Sequence, residues 1–156
     1  MNKKGFSMVE IVLAIALSTI FFLAIYEIIL FSNKITANNL RSVEATHFAA
    51  EAIEAVRLIR NNGWSTYIDV IPNSTTYYIT MVGDQWTLTT VAPPVLNGIF
   101  TRSVTFYEVQ RDANGDIGVG AVDTKTRRVV SMVSWSNKGE SHNASLEAYI
   151  TNILSN

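Results

Sequence analysis

At 156 residues the chain has room for about one ordinary domain and an appendage. Lys and Arg number 12 against 13 Asp and Glu, a formal net charge of −1, which argues against the strong basic excess of a dedicated nucleic-acid binder. With no cysteine, neither a disulfide framework nor a thiolate metal site is possible.

The first element is apolar. Residues 11–31 read IVLAIALSTIFFLAIYEIILF, interrupted only by Ser18, Thr19 and Glu27. That is about the ~20 residues a helix needs to cross a hydrocarbon core. Lys3 and Lys4 precede it and place the N-terminus on the cytoplasmic side by the positive-inside rule. A secretory signal peptide cut near Ala14-Ile15-Ala16 explains the run poorly, because apolar residues continue well past that point. A single-pass anchor explains its length. Neither explains Gly5-Phe6 followed by Glu10, since a carboxylate at the centre of a bilayer helix costs roughly 2.5–3.5 kcal/mol. Glu27, further along, reads as an interfacial residue.

The stretch Lys4-Gly5-Phe6-Ser7-Met8-Val9-Glu10, with the apolar run from Ile11, closely resembles the N-terminal signature of type IV prepilins and type II secretion pseudopilins. The resemblance implies that a prepilin peptidase cuts between Gly5 and Phe6 on the cytoplasmic face. Phe6 then becomes the N-methylated first residue, and Glu10 the glutamate at the fifth mature position. It also implies the role of Glu10: a carboxylate one helical turn from the new amine could neutralise it on the same or a neighbouring subunit, and so set register during assembly. The implied location is the bacterial inner membrane, single-pass, with the head extracytoplasmic and later on the cell surface or in a periplasmic filament. The implied partners are other pilin subunits, the prepilin peptidase, the inner-membrane assembly machinery and the membrane itself. Nucleic acid is not expected as a partner, although DNA uptake stays open. One departure stands out: many type IV pilins carry a proline near the place of Glu27, and this chain has none before Pro72.

From Ser32 the sequence turns amphipathic. Ile35, Val43, Ala50, Ile53 and Ile59, with Ala49, Ala52 and Val56, recur at helical spacing, while Arg41, Glu44, Glu51, Glu54, Arg57 and Arg60 take the other face. Asn61-Asn62-Gly63 is a stop signal. The spacing predicts one helix from about Phe6 to Arg60, roughly 80 Å long at 1.5 Å per residue, with Ser32-Asn33 as its weakest point.

Beyond Trp64 the period changes to two. Thr76–Val82 and Gln85–Val91 flank Gly83-Asp84 as a predicted hairpin, and Pro93-Pro94 ends that unit. Phe100–Arg111 and Arg127–Ser136 are two more alternating strands. After Asn137-Lys138-Gly139, the run from Ser145 to Leu154 fits strand or helix, and an edge strand is favoured. The predicted fold is α+β: a long N-terminal helix, membrane-spanning in its first half, with an antiparallel sheet of four or five strands on its second half. The predicted divisions are a leader at 1–5, an apolar assembly helix at 6–31, an amphipathic half at 32–63 and a β-rich head at 64–156. The helix end EAVRLIRNNGW, the strand ending in Arg111-Asp112 and the returning strand ending in Val133-Ser134-Trp135 are similar to the heads of minor pilins.

No catalytic constellation or cofactor motif is recognisable. His47 and His142 lie in no metal motif, and Gly118-Val119-Gly120 has Asp123 where a nucleotide fingerprint needs its third glycine. Asp112, Asn114, Asp116 and Asp123 fall at positions 1, 3, 5 and 12 of a calcium-type loop, but Ile117 replaces the glycine of position 6. Asp-x-Asn-Gly-Asp is also ordinary turn chemistry, which is the favoured reading. Asn73 and Asn143 begin N-x-S/T sequons. The expected function is a structural filament subunit, a minor pilin, that is not an enzyme. The competing function is a single-pass anchored receptor whose β-rich head captures a ligand.

Overall fold

The computed structural model describes residues 5, 7–137 and 139–153. It contains a long helix, α1 (Met8–Asn61), a short helix, α2 (Trp64–Tyr67), and five strands: β1 (Thr75–Val82), β2 (Gln85–Thr89), β3 (Phe100–Arg111), β4 (Ala121–Asn137) and β5 (Glu140–Thr151). The chain divides into two compact units, one up to Arg41 and one from Ser42 onward.

The first unit is helical throughout its described part beyond Ser7. Its apolar side chains, from Met8 to Phe31, are exposed. The two hydroxyls in this run are satisfied within the helix: Ser18 Oγ donates to Ala14 O at 2.7 Å and Thr19 Oγ1 to Ile15 O at 2.8 Å. They therefore present no unmet hydrogen-bonding group to an apolar environment. Ser32-Asn33 does not interrupt α1.

In the second unit the five strands form one antiparallel sheet in the order β2-β1-β3-β4-β5. This is the predicted α+β arrangement of a long helix and a five-stranded sheet packed against it. Alternation along β3 turns Phe100, Arg102, Val104 and Phe106 toward the helix side of the sheet. Ala52, Ile53, Ala55, Val56 and Ile59 of α1 meet Ile79, Val104, Phe106, Val129 and Ile150 in one core. Ala45 and Ala49 meet Phe100, Val133 and Trp135 in a second. The buried stripe differs from the predicted one. Val43, Ala50 and Ile35 are exposed, and Ala45 and Ala55 take their place. The reason is steric: the sheet closes on alanines, whose lack of bulk lets backbone and strand side chains approach.

Three further boundaries are corrected. The stretch expected to start a strand pattern at Trp64 opens instead with α2, which buries Trp64, Ile68 and Ile71 in and just after it. β2 ends at Thr89 rather than Val91. β4 starts at Ala121, six positions before the alternating run, and its register against β3 slips between Glu108 and Val109. Glu108 faces Arg127 while Val109 faces Asp123, so residues 124–126 form a bulge without partners in β3, although Thr126 still pairs with Thr151 of β5. The β1–β2 turn carries Gly83 at φ +62, the left-handed conformation its first turn position requires. β5 resolves the ambiguous last run as an edge strand, but it starts at Glu140 rather than Ser145 and ends at Thr151, and the predicted end at Leu154 lies outside the described residues.

Candidate functional site

The candidate site at the N-terminus begins at Gly5, which is exposed and has nothing within 4 Å of an added Cβ. Lys3, Lys4 and Phe6, the residue expected to be methylated, lie outside the described residues. Ser7 precedes the first turn of α1, and its backbone N–H donates to Glu10 Oε2 at 2.8 Å. Ser7 O accepts from Ile11 N at 3.2 Å, which places Ser7 at the cap and Glu10 at the third helical position. This is one arm of a capping box. Sequence reasoning missed it, although the signal Ser7-x-x-Glu10 was present. The carboxylate thus satisfies an amide that the helix leaves without a partner, and adds negative charge where the helix dipole is positive.

The second candidate, the turn between β3 and β4, is built around Asp112. Its Oδ1 accepts from Asn114 N at 2.9 Å and Asp116 N at 3.0 Å, with Gly115 at φ +87. Asp123 is in β4, across the sheet register from Val109. Its Oδ2 accepts from Arg111 Nε at 2.6 Å and its Oδ1 from Lys125 N at 2.9 Å. The Arg111 guanidinium, followed by the Thr126 hydroxyl, holds the Asp123 carboxyl below the usual aspartate value. Arg111 Nη1 also donates to Gly115 O at 2.8 Å, tying the turn to the strand pair. The carboxylates at 112 and 123 are therefore engaged in separate turn and strand contacts. Among the described residues, no group of three or more His, Asp or Glu is placed to hold a metal ion.

The Gly118-Val119-Gly120 stretch has a structural explanation. A Cβ on Gly120 would stand 2.0 Å from Arg111 O, so only glycine permits the backbone crossing there. Of the two histidines, His47 is exposed on α1 and His142 stacks on Trp135 with ring centroids 5.6 Å apart.

α1 is long and apolar enough to cross a membrane, and no part of its apolar window is buried within the chain. No curated protein and no solved structure matches the chain. Residues 1–26, which span Gly5, Ser7, Glu10 and the start of the apolar run, match the family model described as the prokaryotic N-terminal methylation motif. The chain therefore carries a type IV pilin-like prepilin signature, joined to an α+β head.

Proposed function

We propose that this chain is a minor subunit of a type IV pilus or related type II secretion-like filament, structural rather than catalytic. One observation carries the reading: the methylation motif, residues 1–26, runs into α1, whose apolar segment is wholly exposed. So large an apolar surface needs lipid or other proteins around it. Lipid covers it before assembly, and the aligned helices of other subunits cover it afterwards.

In this reading residues 1–5 are the leader, 6–31 the assembly helix, 32–63 its amphipathic continuation and 64–156 the head. The prepilin peptidase cuts between Gly5 and Phe6 at the cytoplasmic face of the inner membrane. Methylation leaves a positively charged amine at Phe6, beside the positive end of the helix dipole, where it is costly in an apolar setting. Glu10 is the neutralising carboxylate. Its bond to Ser7 N–H holds it at the first turn of α1. The assembly machinery then draws the helix out of the bilayer, leaving the extracytoplasmic head on the filament surface.

Mass spectrometry of the chain co-expressed with a prepilin peptidase tests this. The expected N-terminus is a monomethylated Phe6, and Gly5→Leu should accumulate as uncut, membrane-inserted precursor. An intact Met1 in the wild type, or normal maturation of Gly5→Leu, overturns the reading in favour of a simple anchor.

A further inference from the structure

The C-terminal end of α1, α2 and the β1–β2 hairpin line an open cavity of about 370 Å³. It lies wholly within the unit from Ser42 onward. Tyr67 of α2, Tyr77 of β1 and Trp86 of β2 line it. Two of these rings are held in place. Tyr77 packs edge-to-face on Phe106 with centroids 6.2 Å apart, and the Arg102 guanidinium stands 5.5 Å from the Trp86 ring centroid. Asn62, Thr66 and Gln85 add two amides and a hydroxyl to the lining. Among the described residues, none of these three side chains is engaged in a hydrogen bond. Among the described residues that line the cavity, none is charged and none is a histidine.

We propose that this cavity binds a neutral sugar unit of an oligosaccharide. Charge complementarity decides the class first. An uncharged lining offers nothing to offset the desolvation of a phosphate, carboxylate or ammonium, so the ligand is uncharged. A purely apolar ligand would leave the two amides and the hydroxyl without partners. A sugar ring satisfies both halves of the lining. Its C–H face carries partial positive charge and lies against the negative face of an aromatic ring. Its neighbouring hydroxyls both donate and accept, as the Asn62 and Gln85 amides do. The volume is at the small end of the roughly 300–1,000 Å³ range of ligand pockets, enough for one or two sugar rings. Fixed aromatic walls lower the ordering cost of binding.

The test uses the full chain in a zwitterionic detergent without a sugar headgroup. Maltotriose, mannotriose, galactotriose and chitotriose are titrated in turn, with tryptophan emission and saturation-transfer NMR as readouts. At least one sugar should give a saturable response. Tyr67→Ala and Gln85→Ala, both at exposed side chains, should each weaken it at least tenfold while leaving the melting curve unchanged. No saturable response to any of the four sugars overturns the proposal. Equal binding by both variants overturns it too, as does saturable binding of a proline-rich peptide with no sugar bound. The result does not depend on how the N-terminus is processed, so it stands or falls apart from the filament reading.

Discussion

Glu51 of α1 and Arg102 of β3 form an ion pair across the helix–sheet interface, with Oε2 and Nη1 3.1 Å apart and the Arg102 side chain 5% exposed. Neither Nη1 nor Nε of Arg102 has an aligned hydrogen-bond acceptor, so charge compensation rests on Glu51 and on the Trp86 ring. Removing the carboxylate leaves the buried cation with the Trp86 ring but no opposite charge. Glu51→Ala should cost about 2–3 kcal/mol, below the largest values for buried pairs because Glu51 is partly solvated. Arg102→Met, which removes the charge and keeps an apolar stem, should cost less. Urea unfolding of the two variants checks the order, and a Glu51→Ala protein as stable as wild type would refute it.

The alanines of α1 predict a contrast between neighbours. Ala49 is fully buried against Phe100, Val133 and Trp135, whereas Ala50 is exposed. Ala49→Leu should overpack the interface and lose about 1–3 kcal/mol. Ala50→Leu should change stability by less than about 0.5 kcal/mol. Thermal or denaturant melts of the two proteins should separate clearly.

At the N-terminus, substitutions of Glu10 separate capping from charge. Glutamine keeps an acceptor for Ser7 N–H and loses the negative charge, and leucine loses both. Glu10→Leu should insert and be cut normally, yet join filaments poorly. Losing one partner of a buried charge pair typically costs about 3–5 kcal/mol, so incorporation should drop by more than about a hundredfold. Glu10→Gln should fall between leucine and wild type. The measurement is the ratio of tagged subunit in sheared filaments to that in membranes. If glutamine performs as wild type, capping alone accounts for the residue and charge pairing is wrong.

The Arg111–Asp123 pair carries a pH signature. The folded-state value of Asp123 lies below its usual value, so the unfolded chain takes up this proton first as pH falls. The pair's contribution is full above the ordinary aspartate value of 3.8 and is lost as pH drops below it toward the lowered folded value. Melting temperatures of wild type and Asp123→Asn should therefore differ at neutral pH and converge in acid. The gap should be small, about 2 °C or less, as for a surface-lying pair. A gap that widens in acid would reverse the assignment.

The elements legible in the sequence are those whose pattern is local. Phe100–Arg111 carries an alternating pattern as far as Phe106 and coincides with β3 at both ends, and Gly83-Asp84 closes the β1–β2 hairpin because its backbone need is met within two residues. The Gly5–Glu10 signature and the apolar run after it are likewise contiguous, and neither needs the head to be recognised. Tertiary structure decided what depends on partners distant in the chain. Periodicity gives α1 an apolar side, but the position of the sheet determines that Ala45 and Ala55 are covered while Val43 and Ala50 are left outside. The alternation of Arg127–Ser136 could not reveal that β4 reaches back to Ala121, because that extension rests on pairing with Val109–Arg111 and on the Arg111–Asp123 contact. The calcium-type spacing could not show that the carboxylates at 112 and 123 take different partners. The aromatic cavity was equally hidden. Tyr67, Tyr77 and Trp86 belong to three elements, and only the packing of α2 and the hairpin against the end of α1 brings their rings around one space.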